Sequence, residues 1–172
     1  MEAPGELALV QRFVNTADLD RGTDTLADAA GLAAFLAAEG LGNGVAGEAG
    51  RRRVVAVREA LRALLLSHNG VPVDGGAVAI LDGAASVRVA FGADGAARLE
   101  PAGEGVDAVI GRLLAIVAHA QAEGTWERLK ACPADDCGWA FYDRSRNHSR
   151  TWCEMRVCGN RAKARSYRAR QR

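Results

Sequence analysis

The sequence predicts a mostly α-helical α+β protein built from two units, and three observations support this prediction. Much of the first 125 residues carries apolar side chains at helical spacing. The last 47 residues contain all four cysteines and six of the nine aromatic residues. Residues 1–125 contain 10 Lys/Arg against 16 Asp/Glu, a net charge of −6, whereas residues 126–172 contain 12 against 5, a net charge of +7. We therefore expect a helical domain over residues 1–125 and a basic, cysteine-rich domain over residues 126–172.

The composition excludes several classes of protein. Hydrophobic residues make up 49% of the 172 residues and charged residues 25%, the balance of a globular protein and not of a disordered chain. No stretch approaches the roughly 18 consecutive apolar residues that a membrane-spanning helix needs. Arg12, Asp18 and Asp20 interrupt the first 30 residues, which therefore do not resemble a signal peptide. We expect a cytoplasmic protein that does not enter a membrane.

Apolar residues at helical spacing predict four main helices in the first unit. The first covers about residues 7–14, and the second follows Asp28, a suitable N-cap, and ends at Gly40. A glycine-rich connection leads to a third helix over about residues 48–67. The fourth helix, over about residues 106–123, is apolar on more than one face, so we expect it to lie centrally.

A β-hairpin is predicted between the third and fourth of these helices. After a short helix over residues 77–84, Val87, Val89 and Phe91 alternate with Arg88 and Ala90, as expected for a half-buried strand. A turn at residues 93–95 leads to a second strand near residues 98–100. Because two strands alone are marginally stable in water, we expect this hairpin to pack on helices.

The first unit contains no recognisable catalytic constellation. It has neither a phosphate-binding glycine loop nor a nucleophile elbow, and His68 and His119 stand alone, so we do not expect an enzyme. Asn15, Thr16 and Arg21 are candidates for a polar ligand pocket, although turn and capping roles explain the same residue types.

The cysteines have the spacing of a metal site. Cys132 and Cys137, and then Cys153 and Cys158, form two pairs with identical four-residue gaps, separated by fifteen residues. Four thiolates satisfy tetrahedral Zn²⁺ and leave no position for water, so we expect one structural zinc ion. Iron–sulfur ligation, disulfides, free buried cysteines and replacement of one sulfur by His148 are the alternatives.

A metal would supply folding free energy that this short segment lacks. About 45 residues cannot bury enough apolar area to offset chain entropy. Trp139 and Phe141 alternate, so one face of a short strand is expected to cover the metal site while Tyr142 points away. With Asn160 as N-cap of a final helix from Arg161 onward, the segment predicts a treble-clef-like zinc finger.

The final helix is strongly basic. Its arginines recur at intervals of four, three and four residues, which places them along one face with Lys163 and Arg170 beside it. No acidic residue follows Glu154, so we expect this stripe to lack a local counter-charge and to bind phosphate. The candidate nucleic-acid contacts are Arg144, Arg146, Arg150, Arg161, Lys163, Arg165, Arg168 and Arg172. Docking of the basic finger on an acidic protein surface is the alternative.

Two sets of residues, one in each unit, carry a resemblance to a known family. They are Phe13-Val14-Asn15-Thr16, Leu32, Phe35-Leu36 and Gly40-Leu41 in the first unit, and Phe141, Asp143, Ser145, Asn147, Ser149-Arg150, Trp152-Cys153, Met155, Cys158-Gly159-Asn160-Arg161 and Lys163 in the second. On these residues the finger resembles bacterial CGNR zinc fingers, whose name is the tetrapeptide at residues 158–161, and the first unit is similar to the ABATE domain. Phe35 stands where we expect a tryptophan, and His148 lies in a loop that we expect to be more uniformly basic.

The resemblance implies a cytoplasmic, stress-linked transcription regulator with one zinc ion on the four cysteines. The residues and the resemblance together predict a zinc-stabilised nucleic-acid-binding protein, with DNA as the expected partner. Its N-terminal domain is expected to bind a small ligand or to mediate self-association. The alternative is a protein-interaction module that binds no nucleic acid.

Overall fold

The structure, a computed structural model, describes residues 2–42 and 47–171. Arg172 and part of the predicted glycine-rich connection lie outside these residues. The described chain is mostly helical, as predicted, and carries three small antiparallel hairpins. A hairpin in the helical unit and a short one in the finger were predicted, whereas the hairpin over residues 17–24 was not. In chain order the elements are α1 (Leu7–Val14), β1 (Ala17–Asp18), β2 (Thr23–Asp24), α2 (Ala29–Ala38), α3 (Glu48–Ser67), α4 (Gly75–Leu81), β3 (Val87–Phe91), β4 (Ala97–Pro101), α5 (Gly105–Ala122), β5 (Leu129–Ala131), β6 (Ala140–Tyr142) and α6 (Asn160–Ala169).

The N-terminus of α2 forms where the sequence predicts it. The Asp28 carboxylate accepts a hydrogen bond from the backbone N–H of Gly31 at 2.8 Å, which satisfies one of the free donors of the first turn. Gly31 itself packs tightly, because a Cβ atom there would lie 1.9 Å from the carbonyl oxygen of Thr25. A glycine is therefore needed at this position.

The predicted central position of α5 is confirmed. This helix packs on α1, α3 and β4, and its residues Ile110 and Leu113 are fully buried. By length and composition alone α5 is apolar enough to cross a membrane, which core helices of globular proteins also are. Its apolar faces here contact the other helices of the main core.

One main core joins the two halves of the sequence. Val10, Phe13 and Leu61 from the helices form a single buried cluster with Leu129 and Tyr142 from the β5–β6 hairpin. Residues on both sides of position 125 thus bury their apolar surface together. The hairpin that carries the cysteine-rich segment is held by the helical part of the chain.

The β3–β4 hairpin differs from its prediction. Its pairing is as expected, with Val89 opposite Leu99, and β4 packs on α5. However, the side chains of Val87, Val89 and Phe91 are 40%, 60% and 73% exposed, so β3 is not a half-buried strand. The reason is tertiary, because α5 supports the hairpin mainly through β4 and leaves β3 on the outside.

The start of the last helix also differs from its prediction. Asn160 does not act as an N-cap, because the chain already turns helically from Met155. The backbone N–H of Gly159 donates to the carbonyl oxygen of Glu154 at 3.3 Å, the five-residue bond of a π-turn. This turn runs directly into α6, and the Asn160 side chain instead donates to the Arg156 carbonyl at 3.0 Å.

Candidate metal centre and basic surface

The β5–β6 hairpin presents a different set of side chains on each face. Leu129 and Tyr142 point into the main core, whereas Phe141 joins a second buried cluster formed by cysteines. Trp139 packs against this second cluster. The predicted orientation of Trp139 and Phe141 towards the metal site, with Tyr142 on the opposite face, is confirmed. The cause is the alternation of side chains along a strand.

The four cysteines come together as one cluster. Their sulfur atoms all lie within 4.8 Å of one another, with 3.5 Å between Cys137 and Cys153 and 3.6 Å between Cys153 and Cys158. All four are free thiols and not disulfides. A tetrahedral Zn²⁺ with Zn–S bonds of about 2.3 Å requires sulfurs about 3.8 Å apart. The cluster therefore has the chemistry and dimensions of a site for one zinc ion.

The electrostatics of the cluster favour a cation. Hydrogen bonding with the Cys132 sulfur raises the pKa of Cys137, and hydrogen bonding with the Cys132 and Cys137 sulfurs raises the pKa of Cys153. Burial and the repulsion between adjacent thiolates raise both pKa values further. The backbone N–H groups of Ala134 and Trp139 oppose this effect by hydrogen bonding to the sulfurs of Cys132 and Cys137. A divalent cation among the sulfurs would remove the repulsion and hold all four as thiolates.

The turn after the second cysteine depends on Gly138. This residue has φ of +59°, and a Cβ atom would meet the Leu19 side chain at 3.0 Å. Its carbonyl oxygen accepts a 2.7 Å hydrogen bond from the buried guanidinium of Arg62, which also donates to the Val14 carbonyl. A side chain of α3 thus fixes the cysteine turn.

The structure places the three candidate pocket residues in different contacts. The side-chain amide of Asn15 accepts a hydrogen bond from the N–H of Ala140 at 2.7 Å and donates one to the Ala140 carbonyl at 2.9 Å. It thus bonds to both backbone groups of this β6 residue, as a residue of a neighbouring strand would. Thr16 is buried, donates to the Phe13 carbonyl and accepts from Arg58. Arg21 lies exposed in a loop beside Asp18. Asn15 therefore links the helical unit to β6 of the cysteine-rich unit, and the hydrogen bonds of Thr16 stabilise the helical unit.

A buried ion pair organises the loop that follows β6. The Lys130 ammonium lies 3.0 Å from the Asp143 carboxylate and also donates to the carbonyls of His148 and Arg150. Burial alone would raise the pKa of Asp143, but hydrogen bonds from Ser145 and Lys130 hold it well below its usual value. Neither partner was identified from the sequence as a site residue. A lysine between the apolar residues of β5 was the available signal.

Two of the three predicted basic loop residues make contacts within the chain. The Arg150 guanidinium donates to the carbonyls of Trp152 and Cys153 and lies 5.2 Å from the centre of the Phe141 ring. The Arg144 side chain donates to the Glu2 carbonyl at 3.0 Å but remains exposed. Arg150 is therefore a support for the cysteine-bearing loop.

The expectation that the arginine stripe lacks a counter-charge is wrong for two of its members. Arg161 lies 2.8 Å from Asp20 and 3.0 Å from Asp136, and Arg165 lies 2.5 Å from Asp135. These carboxylates precede the helix by many residues, so local sequence does not show them. The turn between the first two cysteines and the loop after β1 bring them to α6.

Arg161 is also connected to the metal centre. Its guanidinium lies 3.5 Å from the Cys158 sulfur, close enough to donate a hydrogen bond to a thiolate. Groups that hydrogen-bond to metal ligands orient them and tune their basicity. Arg161 therefore supports the sulfur cluster as well as lying on the arginine stripe.

The opposite side of α6 faces away from these acids. Lys163, Tyr167 and Arg170 follow each other at intervals of four and three residues, which places them on one side of the helix. All three are exposed, and the described chain provides no ion pair for either cation. Lys163 and Arg170 are thus on the far side from Arg161, and not beside the stripe. Arg146, Arg156 and Arg168 are also exposed without an ion pair to a described residue.

Fold and site together define a class, a helical domain joined to a four-cysteine zinc finger that ends in a basic helix. Comparison with family models agrees. The CGNR zinc finger model matches residues 128–171, and the ABATE model, described as "Putative stress-induced transcription regulator", matches residues 7–125. The second match spans well over half of the chain, so the chain belongs to this family, which is described as a regulator and not as an enzyme. A search of curated proteins gave no match.

Proposed function

We propose that the chain is a cytoplasmic, DNA-binding transcription regulator whose finger is held together by one structural zinc ion. Four sulfurs within 4.8 Å of one another complete a tetrahedral shell and leave no open position for a reacting water. The role assigned to zinc is therefore to fold the finger and to fix the position of α6.

The observation that carries this proposal is the exposed basic surface of the finger. Residues 126–172 have a net charge of +7, a sum that already includes Asp135 and Asp136, which pair with Arg161 and Arg165. Asp20, which also pairs with Arg161, lies outside this segment. Lys163, Tyr167 and Arg170 form an exposed edge of α6. A ten-residue helix is about 15 Å long, and the major groove of B-DNA, about 12 Å wide, admits an α-helix.

The test of this proposal is a titration of duplex DNA with zinc-loaded protein at several salt concentrations. Six phosphate contacts predict that the logarithm of the binding constant falls with the logarithm of the salt concentration with a slope of about −5. The six exposed cations that would supply them are Arg144, Arg146, Arg156, Lys163, Arg168 and Arg170. Binding that does not change with salt, or no binding at low salt, overturns the proposal. Single-stranded RNA of the same length, titrated in parallel, distinguishes the two nucleic acids.

Substitutions on the two sides of α6 then locate the contact surface. The double variant Lys163→Ala, Arg170→Ala should make the slope shallower by about 2, because each lost phosphate contact changes it by about 1. Arg165→Ala should leave the slope unchanged, since that guanidinium is held by Asp135 and Asp136. Arg52→Ala is the control, because Arg52 is 71% exposed and lies on α3. The reverse result for Arg165 would place the contact surface on the arginine stripe.

A second candidate function is protein docking through the same finger. The ion pair between Arg161 and Asp20 shows that carboxylates outside the finger can bind its arginines. An acidic partner protein would use the same chemistry. Cross-linking and nucleic-acid capture on one sample separate the two candidates, since recovery of a protein without nucleic acid favours docking.

The proposed role of the N-terminal domain is to bind a small ligand or to associate with a second copy. A cleft of about 620 Å³ between α5 and the β3–β4 hairpin supports this part of the proposal, because small-molecule sites commonly measure about 300–1,000 Å³. The cleft is lined by both apolar residues, such as Val89 and Leu99, and charged residues, such as Arg112.

A further inference from the structure

The outer strand of the β3–β4 hairpin is an open sheet edge. β4 carries the contact with α5, and β3 lies on the far side of the hairpin. The side chains of Val87, Val89 and Phe91 on this strand are 40%, 60% and 73% exposed. An apolar edge strand exposed in this way is a template for pairing with another strand.

The hydrogen bonds of the hairpin show which backbone groups are free. The N–H of Gly92 donates to Ala96 at 2.9 Å, and the N–H of Ala102 donates to Ser86 at 3.0 Å. Because hydrogen-bonded pairs alternate along an antiparallel ladder, the even-numbered residues of β3 bond to β4. The N–H and carbonyl groups of Val87, Val89 and Phe91 therefore point outward, away from β4, and the described chain supplies them with no other strand.

We propose that β3 pairs with β3 of a second copy of this chain, antiparallel and about a two-fold axis at Val89. This inference specifies the self-association proposed for the N-terminal domain and does not depend on DNA binding. Val89 then lies opposite its own copy, and Val87 lies opposite Phe91 of the second copy. Two hairpins become one four-stranded sheet, and the outward backbone groups become paired.

This register is self-complementary, as a two-fold interface requires. Each residue with outward backbone groups lies opposite another such residue of the second copy, so the proposed register allows all of these groups to form hydrogen bonds. Pairs of an aromatic with a β-branched side chain, such as Phe91 with Val87, are favourable across strands. Arg88 lies opposite Ala90 of the second copy, and its charge is already paired with Glu100 at 2.5 Å, so like charges do not meet. Centring the axis on Val87 or Phe91 would pair fewer residues of β3.

The test is the oligomeric state of the full-length, zinc-loaded protein by sedimentation velocity over a range of concentrations. A two-strand edge interface is small, so we expect a dimer with a Kd of about 10 μM. Val89→Lys places two lysines opposite each other at the axis and should raise this Kd at least about tenfold. Val73→Lys is the matched control, because Val73 is also 60% exposed but lies outside the strand, and it should leave the dimer unchanged.

A charge exchange tests the register itself. Val89→Glu should also give monomers, but an equal mixture of Val89→Lys and Val89→Glu should form a heterodimer, because lysine then meets glutamate at the axis. A fold damaged by the substitution would not be rescued in this way. Circular dichroism should confirm that each variant is folded.

Three results would overturn the inference. They are a monomeric wild-type protein at all concentrations, loss of the dimer in Val73→Lys as much as in Val89→Lys, and failure of the mixture to associate. Occupation of the apolar strand by a small molecule or by another protein would give the first result. DNA affinity, measured separately on Val89→Lys, keeps a failure of this inference distinct from a failure of the proposed function.

Discussion

The β3–β4 and β5–β6 hairpins differ in how much of each is buried, and this difference is a consequence of tertiary structure. Both are antiparallel pairs whose side chains alternate between faces. All six strand residues of β5–β6 are buried, whereas β3 exposes Val87, Val89 and Phe91. The shorter hairpin is the buried one because it lies between the main core and the cysteine cluster. Burial of a strand is therefore decided by what lies on its two faces, and alternation alone does not predict it.

The largest expected effect comes from removing one sulfur from the cysteine cluster that covers one face of β5–β6. Cys158→Ser removes one of four sulfurs, and structural zinc contributes about 10–16 kcal/mol in finger peptides. We expect loss of stoichiometric zinc in metal analysis and rapid proteolysis after residue 143. The β5–β6 strands should stay protected, because Leu129 and Tyr142 remain in the main core.

Arg156→Ala is the control for this experiment, since Arg156 is an exposed neighbour in the same turn. It should retain zinc. A Cys158→Ser protein whose residues 143–171 are as protected as in the wild type would show that zinc does not hold the finger together.

The same substitution in the two hairpins should have very different effects. Phe141→Ala removes a ring that is 1% exposed, and such truncations cost about 3–5 kcal/mol of unfolding free energy. Phe91→Ala removes a ring that is 73% exposed and should change the stability of dilute protein by about 0.5 kcal/mol or less. Urea unfolding of both zinc-loaded variants measures the difference, and equal losses would contradict the comparison.

A smaller effect than the loss of Phe141 is expected in the third hairpin, β1–β2, which an ion pair stabilises. The Arg58 guanidinium donates to both carboxylate oxygens of Asp24, at 2.6 and 2.8 Å, and this hydrogen bonding lowers the pKa of Asp24. A lowered pKa stabilises the fold above the unfolded-state pKa of about 3.9, and this contribution is lost as the pH falls through the folded-state pKa.

The Asp24→Asn variant should therefore have a lower unfolding free energy than the wild type near neutral pH. The difference in unfolding free energy between the two proteins should become smaller below about pH 4. Unfolding free energies measured from pH 7 to pH 3 test this expectation. Because acid also releases zinc from both proteins, the informative quantity is the difference between them. A gap that stays constant down to pH 3 would show that Asp24 does not contribute through its charge.

Much of the fold follows from local pattern. The period of apolar residues predicts α3 and α5 within a residue or two, and Asp28 marks the start of α2, because helix formation depends on neighbouring residues. The four cysteines are identifiable from their spacing, since a metal fixes both ligand type and number. The predicted N-cap role of Asn160 was wrong because the π-turn at Met155–Gly159, which carries Cys158 into the cluster, already leads into the helix. Capping preferences do not contain this constraint.

The sequence by itself determined most of the helices, the β3–β4 pair and the four cysteines of the candidate metal site, because these depend on local spacing and on side-chain chemistry. Tertiary structure alone decided that Arg161 and Arg165 are paired with carboxylates and that β3 is an exposed edge strand. Asp20 reaches Arg161 across 141 residues, and Asn15 reaches Ala140 across 125. Coulomb forces and hydrogen bonds act over a few ångströms of space, so contacts between segments so distant in sequence arise only when the chain folds.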